Sequence, residues 1–133
     1  MSAAFDQLLQ AAKSQEHPQR LVFVFAAAEL PADATPAQRE SFERGQGGTL
    51  TPLMCVDKAP EEVADFASLV RESREAGPPW AVMFVAAVGG IDGQPPGDKQ
   101  VEAAIARMVD LVNQGAIENF LAFDVQGELL HFA

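Results

Sequence analysis

The chain has 133 residues, of which 48% are hydrophobic and 21% are charged, which is the length and composition of a single globular domain. Nine Lys and Arg stand against nineteen Asp and Glu, so the formal charge of −10 opposes binding to nucleic-acid phosphates or anionic lipid. The apolar runs are far shorter than the roughly 20 residues that cross a bilayer. No basic and apolar leader opens the chain, and its one cysteine cannot form an intrachain disulfide. These features predict a cytoplasmic protein that binds neither nucleic acid nor membrane.

The first half of the chain predicts the order helix, strand, helix, strand. Regularly spaced apolar residues predict a helix over about residues 2–15, and the continuous apolar run at 21–28 predicts a buried strand. Thr35, Pro36 and Gln38 form a capping pattern that is typical of the start of a second helix. A cluster of glycines then ends that helix and leads into the second strand.

The second strand is predicted over residues 49–56, with the sequence TLTPLMCV. Pro52 has no N–H to donate to a neighbouring strand, so we expect this strand to lie at the edge of the sheet or to carry a bulge. Cys55 lies between two apolar residues, and no activating group is visible in the adjacent sequence. It is therefore expected to be a buried structural cysteine and not a nucleophile.

The second half of the chain repeats this order and adds one strand. Pro60 and the acidic residues after it predict the start of a third helix. Strands are predicted at 80–88 and 119–124, with a fourth helix between them at 98–114, and a VQGE link joins the last strand to residues 128–132 as a hairpin. The order αβαβ-αβαβ-β predicts one α/β domain over the whole chain, with four helices and a mixed, mostly parallel sheet of about five strands.

The two halves, about residues 1–58 and 62–125, are similar enough to predict an internal duplication. At an offset of 67 residues, Gly48 and Asp57 of the first half correspond to Gly115 and Asp124 of the second. Two amphipathic αβ units share apolar positions in any case, so chance similarity is the alternative. At an offset of 61 residues, Ala3, Phe5, Leu8, Pro18, Phe23, Val24 and Ala26 match Ala64, Phe66, Leu69, Pro79, Phe84, Val85 and Ala87.

Asp57 and Asp124 are the candidate ligand-binding residues, because each follows an apolar strand and the duplication relates them. In a parallel sheet the carboxyl ends of the strands meet at one edge, where ligands collect. Such an edge could hold a divalent cation or a carboxylate pair for acid–base chemistry. The alternative is that each aspartate shapes a turn. The carboxylates that a parallel sheet would gather there are Glu29, Asp33, Asp57, Asp92, Asp98 and Asp124.

Other candidate sites lack the spacing that their chemistry requires. The loop 89–99 lies between a strand and a helix, but its prolines and Asp98 break the phosphate-loop pattern, and Asp98 is expected to cap the following helix. His17 and His131 share no ligand spacing with Cys55, so neither a metal ion nor a cofactor is expected. No catalytic residue can be assigned, which favours a protein that is not an enzyme.

The stretch PQRLVFVFAAAELPADATPAQRESFERGQGGTLTPLMCVDKAPEEVADFASLVRES (residues 18–73), together with the terminal FDVQG, resembles a family of small uncharacterised proteobacterial proteins of about this length. The segment LTPLMCVDKAPEE is the most specific part of the resemblance. Members often carry the label "ribonucleotide reductase subunit alpha", and no functional residues come with the family. A catalytic reductase subunit is several times longer and uses several cysteines, whereas this chain has one. The resemblance therefore implies at most an accessory role near nucleotide metabolism.

Two functional classes follow from the sequence. The first is a non-enzymatic protein-binding or regulatory domain that forms a homodimer or binds an unidentified protein, as an apolar chain with an edge strand would allow. The second is a ligand- or metal-binding protein, or an enzyme, with an acidic site at the strand ends.

Overall fold

The computed structural model describes residues 2–29, 33–43 and 49–130, and these form four helices, four strands and one 3₁₀ turn. In chain order they are α1 (Ala3–Lys13), β1 (Gln19–Glu29), α2 (Pro36–Glu43), β2 (Thr49–Lys58), the 3₁₀ turn (Pro60–Glu62), α3 (Phe66–Ala76), β3 (Val82–Gly89), α4 (Asp98–Gln114) and β4 (Leu121–Phe123).

The helix boundaries follow local signals in the sequence. The predicted capping box of α2 is confirmed, because the Thr35 N–H donates to Gln38 Oε1 at 2.8 Å and the Gln38 N–H donates to Thr35 Oγ1 at 3.2 Å. The helix α4 ends at Gly115, which adopts a left-handed conformation with φ of 74° that glycine tolerates without strain. Both boundaries of α4 agree with those predicted.

The third helix begins later than predicted. Pro60 and the two acidic residues after it form the separate 3₁₀ turn, and α3 begins only after Asp65. The Asp65 carboxylate accepts the N–H of Ser68 at 2.8 Å, which satisfies one of the free donors at the helix start and lowers the pKa of that carboxyl.

The sheet has the strand order β2-β1-β3-β4, and every pair of neighbouring strands is antiparallel. The prediction of a mostly parallel sheet of about five strands is therefore wrong. It rested on continuous apolar runs, which indicate burial on both faces and are common in parallel sheets. Here antiparallel strands are buried on both faces because helices pack against each side, and the sequence pattern is the same.

The predicted fifth strand is reduced to a short return of the chain beside β4. Phe123 and Leu129 form a single antiparallel bridge. The Leu130 N–H donates to the carbonyl of Ala122 at 2.8 Å, and the Asp124 N–H donates to the carbonyl of Glu128 at 3.0 Å. Residues 131 and 132 of the predicted strand lie outside the described part of the chain.

Alternate residues along the strands supply two separate cores, one on each face of the sheet. On one face, the ring of Phe5 in α1 packs edge-on against Phe66 of α3 and Phe123 of β4, with centroid distances of 5.3 and 5.6 Å. This layer contains Phe5, Leu9, Ala12, Leu21, Phe23, Phe25, Val63, Phe66, Leu69, Val70, Trp80, Met83, Val85 and Phe123. The other face is covered by α4, and its layer contains Val22, Val24, Ala26, Val82, Phe84, Val101, Met108, Val112, Ile117 and Ala122.

The predicted duplication fits the helices better than the strands. An offset of 61 residues places Phe5 on Phe66, and both are buried in the same layer. The same offset places Phe23 on Phe84, which lie on opposite faces of the sheet. An offset of one residue less places Phe23 of β1 on Met83 of β3, which lie on the same face of the sheet. Phe23 pairs with Val56 of β2 and Met83 pairs with Phe123 of β4, so the two strand pairs also correspond. The duplication itself stays a prediction.

The start of α1 is joined to the chain reversal after β4. Buried Ser2 caps α1 by accepting the N–H of Phe5 at 3.2 Å, and its hydroxyl donates to the carbonyl of Gly127. Gly127 has φ of 84°, and a Cβ at this position would lie 2.6 Å from the Cβ of Ser2 and 3.2 Å from the ring of Phe66. The reversal therefore requires glycine, for its conformation and for its close approach to α1.

We predict that Gly127→Ala destabilises the protein by about 1–3 kcal/mol, since it combines a strained φ with overpacking at Ser2. Urea unfolding followed by circular dichroism measures the loss. Gly93→Ala is the matched control, because Gly93 also has a positive φ, of 76°, but open space where a Cβ would lie, so the difference between the two variants reports the overpacking at Ser2. A loss of equal size in both variants would contradict this account.

Candidate functional site

The structure does not bring Asp57 and Asp124 together. Because β1 is antiparallel to both β2 and β3, the outer strands β2 and β4 run in opposite directions. Asp57 lies opposite Val22, near the start of β1, whereas Asp124 follows Phe123, which lies opposite Met83 near the start of β3. The two aspartates thus lie on different outer strands and at opposite ends of the sheet.

The remaining carboxylates of the predicted acidic edge are divided in the same way. Asp92 and Asp98 follow the end of β3 and share the Asp57 end of the sheet, while Glu29 ends β1 at the other end. Asp33 lies in the loop before α2. Among the described residues, no group of three or more His, Cys, Asp or Glu side chains could hold a metal ion. The antiparallel arrangement thus separates the carboxylates that a parallel sheet would gather.

The carboxylate of Asp57 is engaged in an ion pair with Arg20 of β1. Its Oδ2 accepts a hydrogen bond from Arg20 Nε, and Arg20 Nη1 lies 3.6 Å from Glu62 Oε1. The hydrogen bond to Asp57 is the main cause that raises the pKa of the Arg20 guanidinium. Arg20 and Asp57 are each about one-third exposed, so this pair lies at the surface and joins β1 to β2.

The carboxylate of Asp124 shapes the chain reversal after β4. Its Oδ1 accepts the N–H groups of Gln126 at 2.9 Å and of Glu128 at 3.0 Å. An aspartate that binds the backbone two residues ahead forms an Asx-turn, a common role of this residue type. Asp124 therefore behaves as the turn-forming alternative expects.

The loop between β3 and α4 is packed against the start of β1. The Gly90 N–H donates to the carbonyl of Pro18 at 2.9 Å, and the Gly93 N–H donates to His17 Nδ1 at 3.2 Å. Asp92 and Gly93 both have positive φ, as a tight two-residue turn requires. Asp98 is the first residue of α4 and not its cap, which is Gly97. His131 lies outside the described residues.

Cys55 is exposed on β2, so the prediction of a buried cysteine is wrong. Its apolar neighbours in sequence do indicate a strand, but β2 is an outer strand whose side chains are mostly half-buried. Partial burial raises the pKa of the Cys55 thiol above its ordinary value. A raised pKa reduces the thiolate population and disfavours a nucleophilic role.

The two outer strands of the sheet differ in what covers them. The outer side of β4 is occupied by residues 128–130, through the Leu130–Ala122 hydrogen bond and the bridge to Leu129. Within the described part of the chain, no strand pairs with the outer side of β2. Both predictions from Pro52 are confirmed, because β2 is an edge strand and its pairing with β1 contains a bulge at Leu53.

The ten residues of β2 carry little net charge in an otherwise acidic protein. Asp57 and Lys58 are the charged residues of this strand. Asp57 is paired with Arg20, and Lys58 Nζ lies 3.0 Å from Glu72 Oε2. The sequence predicted the edge position of β2 through Pro52, but no sequence signal indicated which residues neutralise its charges.

One surface depression lies beside β2, with an empty volume of about 140 Å³. This space is continuous with solvent and has essentially no interior room for even a water molecule, so it is not a small-molecule pocket. Its lining residues are Lys58, Glu62, Val63, Ala64, Ser68, Leu69 and Glu72.

Comparison with protein-family models, with curated protein sequences and with solved structures gives no match for this chain. Among the described residues, no helix has the length and apolar character that crossing a membrane requires.

We predict that the folded protein reacts with DTNB at its single thiol, more slowly near neutral pH than the urea-unfolded chain does. The difference in rate should narrow as the pH rises through the elevated pKa, because the native thiol then ionises fully. Cys55→Ala serves as the blank. Absence of labelling in the native protein at every pH would show that the thiol is buried.

Proposed function

We propose that this chain is a small cytoplasmic, non-enzymatic protein-binding or regulatory domain, and that it binds polypeptide along the outer side of β2. In this mode a strand of the partner adds to the sheet through main-chain hydrogen bonds. The observation that carries the proposal is the asymmetry between the outer strands: β4 is covered by residues 128–130, and β2 is not covered by any described strand.

The length of β2 supports this role. Natural proteins protect exposed edges with short strands, inward charges or covering segments. At ten residues β2 is much longer than the three residues of β4, although β4 is the strand that is covered. Pro52 and the bulge disfavour non-specific strand pairing and aggregation, but they leave the other backbone groups of β2 available. This combination suits an edge that binds one specific partner.

The charge distribution supports the same surface. The chain has a formal charge of −10, so association with another acidic protein is favoured only where the local net charge of the surface is small. Because Asp57 and Lys58 are paired with Arg20 and Glu72 within the fold, a strand that docks on β2 meets backbone groups and apolar or neutral side chains.

The rival function is a ligand-binding protein or enzyme with an acidic strand-end site, accessory to nucleotide metabolism. It would require its carboxylates to be near one another and available to a ligand. Asp57 and Asp124 are at opposite ends of the sheet, and each is already hydrogen-bonded within the fold. A shift in melting temperature with Mg²⁺, Ca²⁺ or nucleotides that disappears in Asp57→Asn would favour this rival.

The proposed function predicts that partner capture depends on the backbone N–H of β2 residues that point away from β1. We take Cys55→Pro as the test variant and Cys55→Ala as its control, since both remove the thiol and only proline removes the N–H. Immobilised wild-type protein and the alanine variant should retain the same polypeptides from a lysate of the native cells. The proline variant should retain at least tenfold less of them.

Circular dichroism and thermal unfolding establish that the proline variant is folded before capture is compared. Equal capture by the two folded variants would contradict docking along β2. A second proline variant, Leu50→Pro, repeats the test at the other half of the strand.

A further inference from the structure

We infer that the outer side of β2 pairs with β2 of a second copy of this chain, in antiparallel register, to form a closed twofold dimer with one continuous eight-stranded sheet. This inference rests on the proposed function, because it names the partner of the same edge. It is derived from the backbone groups that point outward from β2 and from their spacing.

The direction of each backbone group follows from the hydrogen bonds at the sheet ends. In an antiparallel sheet, the N–H and C=O of one residue point to the same neighbouring strand, and successive residues alternate. The Gly90 N–H donates to the carbonyl of Pro18, so even-numbered positions of β1 point towards β3. Odd-numbered positions of β1 consequently point towards β2. The bond from Leu130 to the carbonyl of Ala122 gives the same phase on β4.

The pairing of β1 with β2 then identifies the outward-pointing residues of β2. Phe23 and Phe25 bond inward to Val56 and Met54, so Cys55 and the next alternate residue, Asp57, point outward. The bulge at Leu53 changes the alternation by one, so that Leu50 and Pro52 point outward in the first half of the strand. The missing N–H of Pro52 therefore falls on the side where β1 needs no donor.

The spacing of the four outward-pointing residues is symmetric about the middle of β2. Leu50 and Pro52 are separated by two positions, Pro52 and Cys55 by three, and Cys55 and Asp57 by two. Two antiparallel copies of β2 therefore bring every outward residue opposite an outward residue. Leu50 lies opposite Asp57 of the second copy, and Pro52 lies opposite Cys55. A regularly alternating strand could pair with itself in several such registers, whereas the bulge leaves this register as the one that matches all four outward residues.

This register satisfies most of the free backbone groups of the edge. Four outward pairs with two hydrogen bonds each, less the missing donors of the two Pro52 residues, leave about six inter-subunit hydrogen bonds. No like charges lie directly opposite, because Asp57 faces Leu50 and Lys58 faces Thr49 of the second copy. An isologous contact of this kind uses the same surface on both copies and closes the assembly at two subunits.

The register determines the distance between the two Cys55 residues of the dimer. Each lies opposite Pro52 of the other copy, so the two Cα atoms are separated by about 10 Å along the strands and about 5 Å across them. This exceeds the Cα separation of about 4.4–6.8 Å that a disulfide requires. A short bis-maleimide linker spans the distance, whereas mild oxidation does not join the thiols.

Size-exclusion chromatography with light scattering, from micromolar to millimolar concentration, tests the dimer. Wild-type protein and Cys55→Ala should be dimeric, and folded Cys55→Pro and Leu50→Pro should dissociate at concentrations at least tenfold higher than the wild type does. A wild-type protein that is monomeric throughout this range overturns the inference. A dimer that both folded proline variants leave unchanged also overturns it.

Cross-linking of the natural thiol tests the register. The bis-maleimide should yield a covalent dimer of the wild-type protein, and copper–phenanthroline oxidation should yield less than one-tenth as much. Efficient disulfide formation overturns the register, because it requires Cys55 to lie opposite Cys55. A strictly monomeric protein whose capture of other polypeptides still depends on the Cys55 N–H overturns the second copy as partner and leaves the proposed function standing.

Discussion

The antiparallel pairing of β1 with β3 is the contact on which the rest of the structure depends. These two strands occupy the centre of the sheet, and their alternate side chains supply both cores. The helices α1 and α3 pack on one set and α4 packs on the other, so the sheet positions these three helices. Because β1 and β3 run in opposite directions, they also determine where β2 and β4 end, and with them the positions of Asp57 and Asp124.

Features that depend on a few neighbouring residues could be predicted from the sequence. The capping box at Thr35 and Gln38, the full extent of α4 and the edge position of Pro52 all follow from local conformational rules, and the structure confirms them. The directions of the strands could not be predicted. They are set by pairing between distant segments, and a strand buried on both faces has the same apolar pattern in parallel and antiparallel sheets.

The predicted grouping of Asp57 and Asp124 at one site was wrong for the same reason, because it depended on the strand directions. Its two aspartates were brought together only by the assumption of parallel strands, so the separation of Asp57 from Asp124 follows directly from the antiparallel pairing. Cys55 shows a related effect, because apolar neighbours in sequence indicate a strand but not how much of each residue an outer strand leaves exposed. The alternative weighed for each aspartate, that it shapes a turn, describes Asp124 well.

The contact between Ser2 and Gly127 links the first described residue of the chain to the segment that covers β4. If this link were lost, the returning segment would be held less firmly, and the sheet would present two unprotected sides instead of one. Pairing between two unlike sides has no twofold symmetry, so it generates rings or open-ended filaments of several subunits and not a dimer that closes at two. In the proposed arrangement, a single buried serine hydroxyl therefore helps to set the size of the assembly.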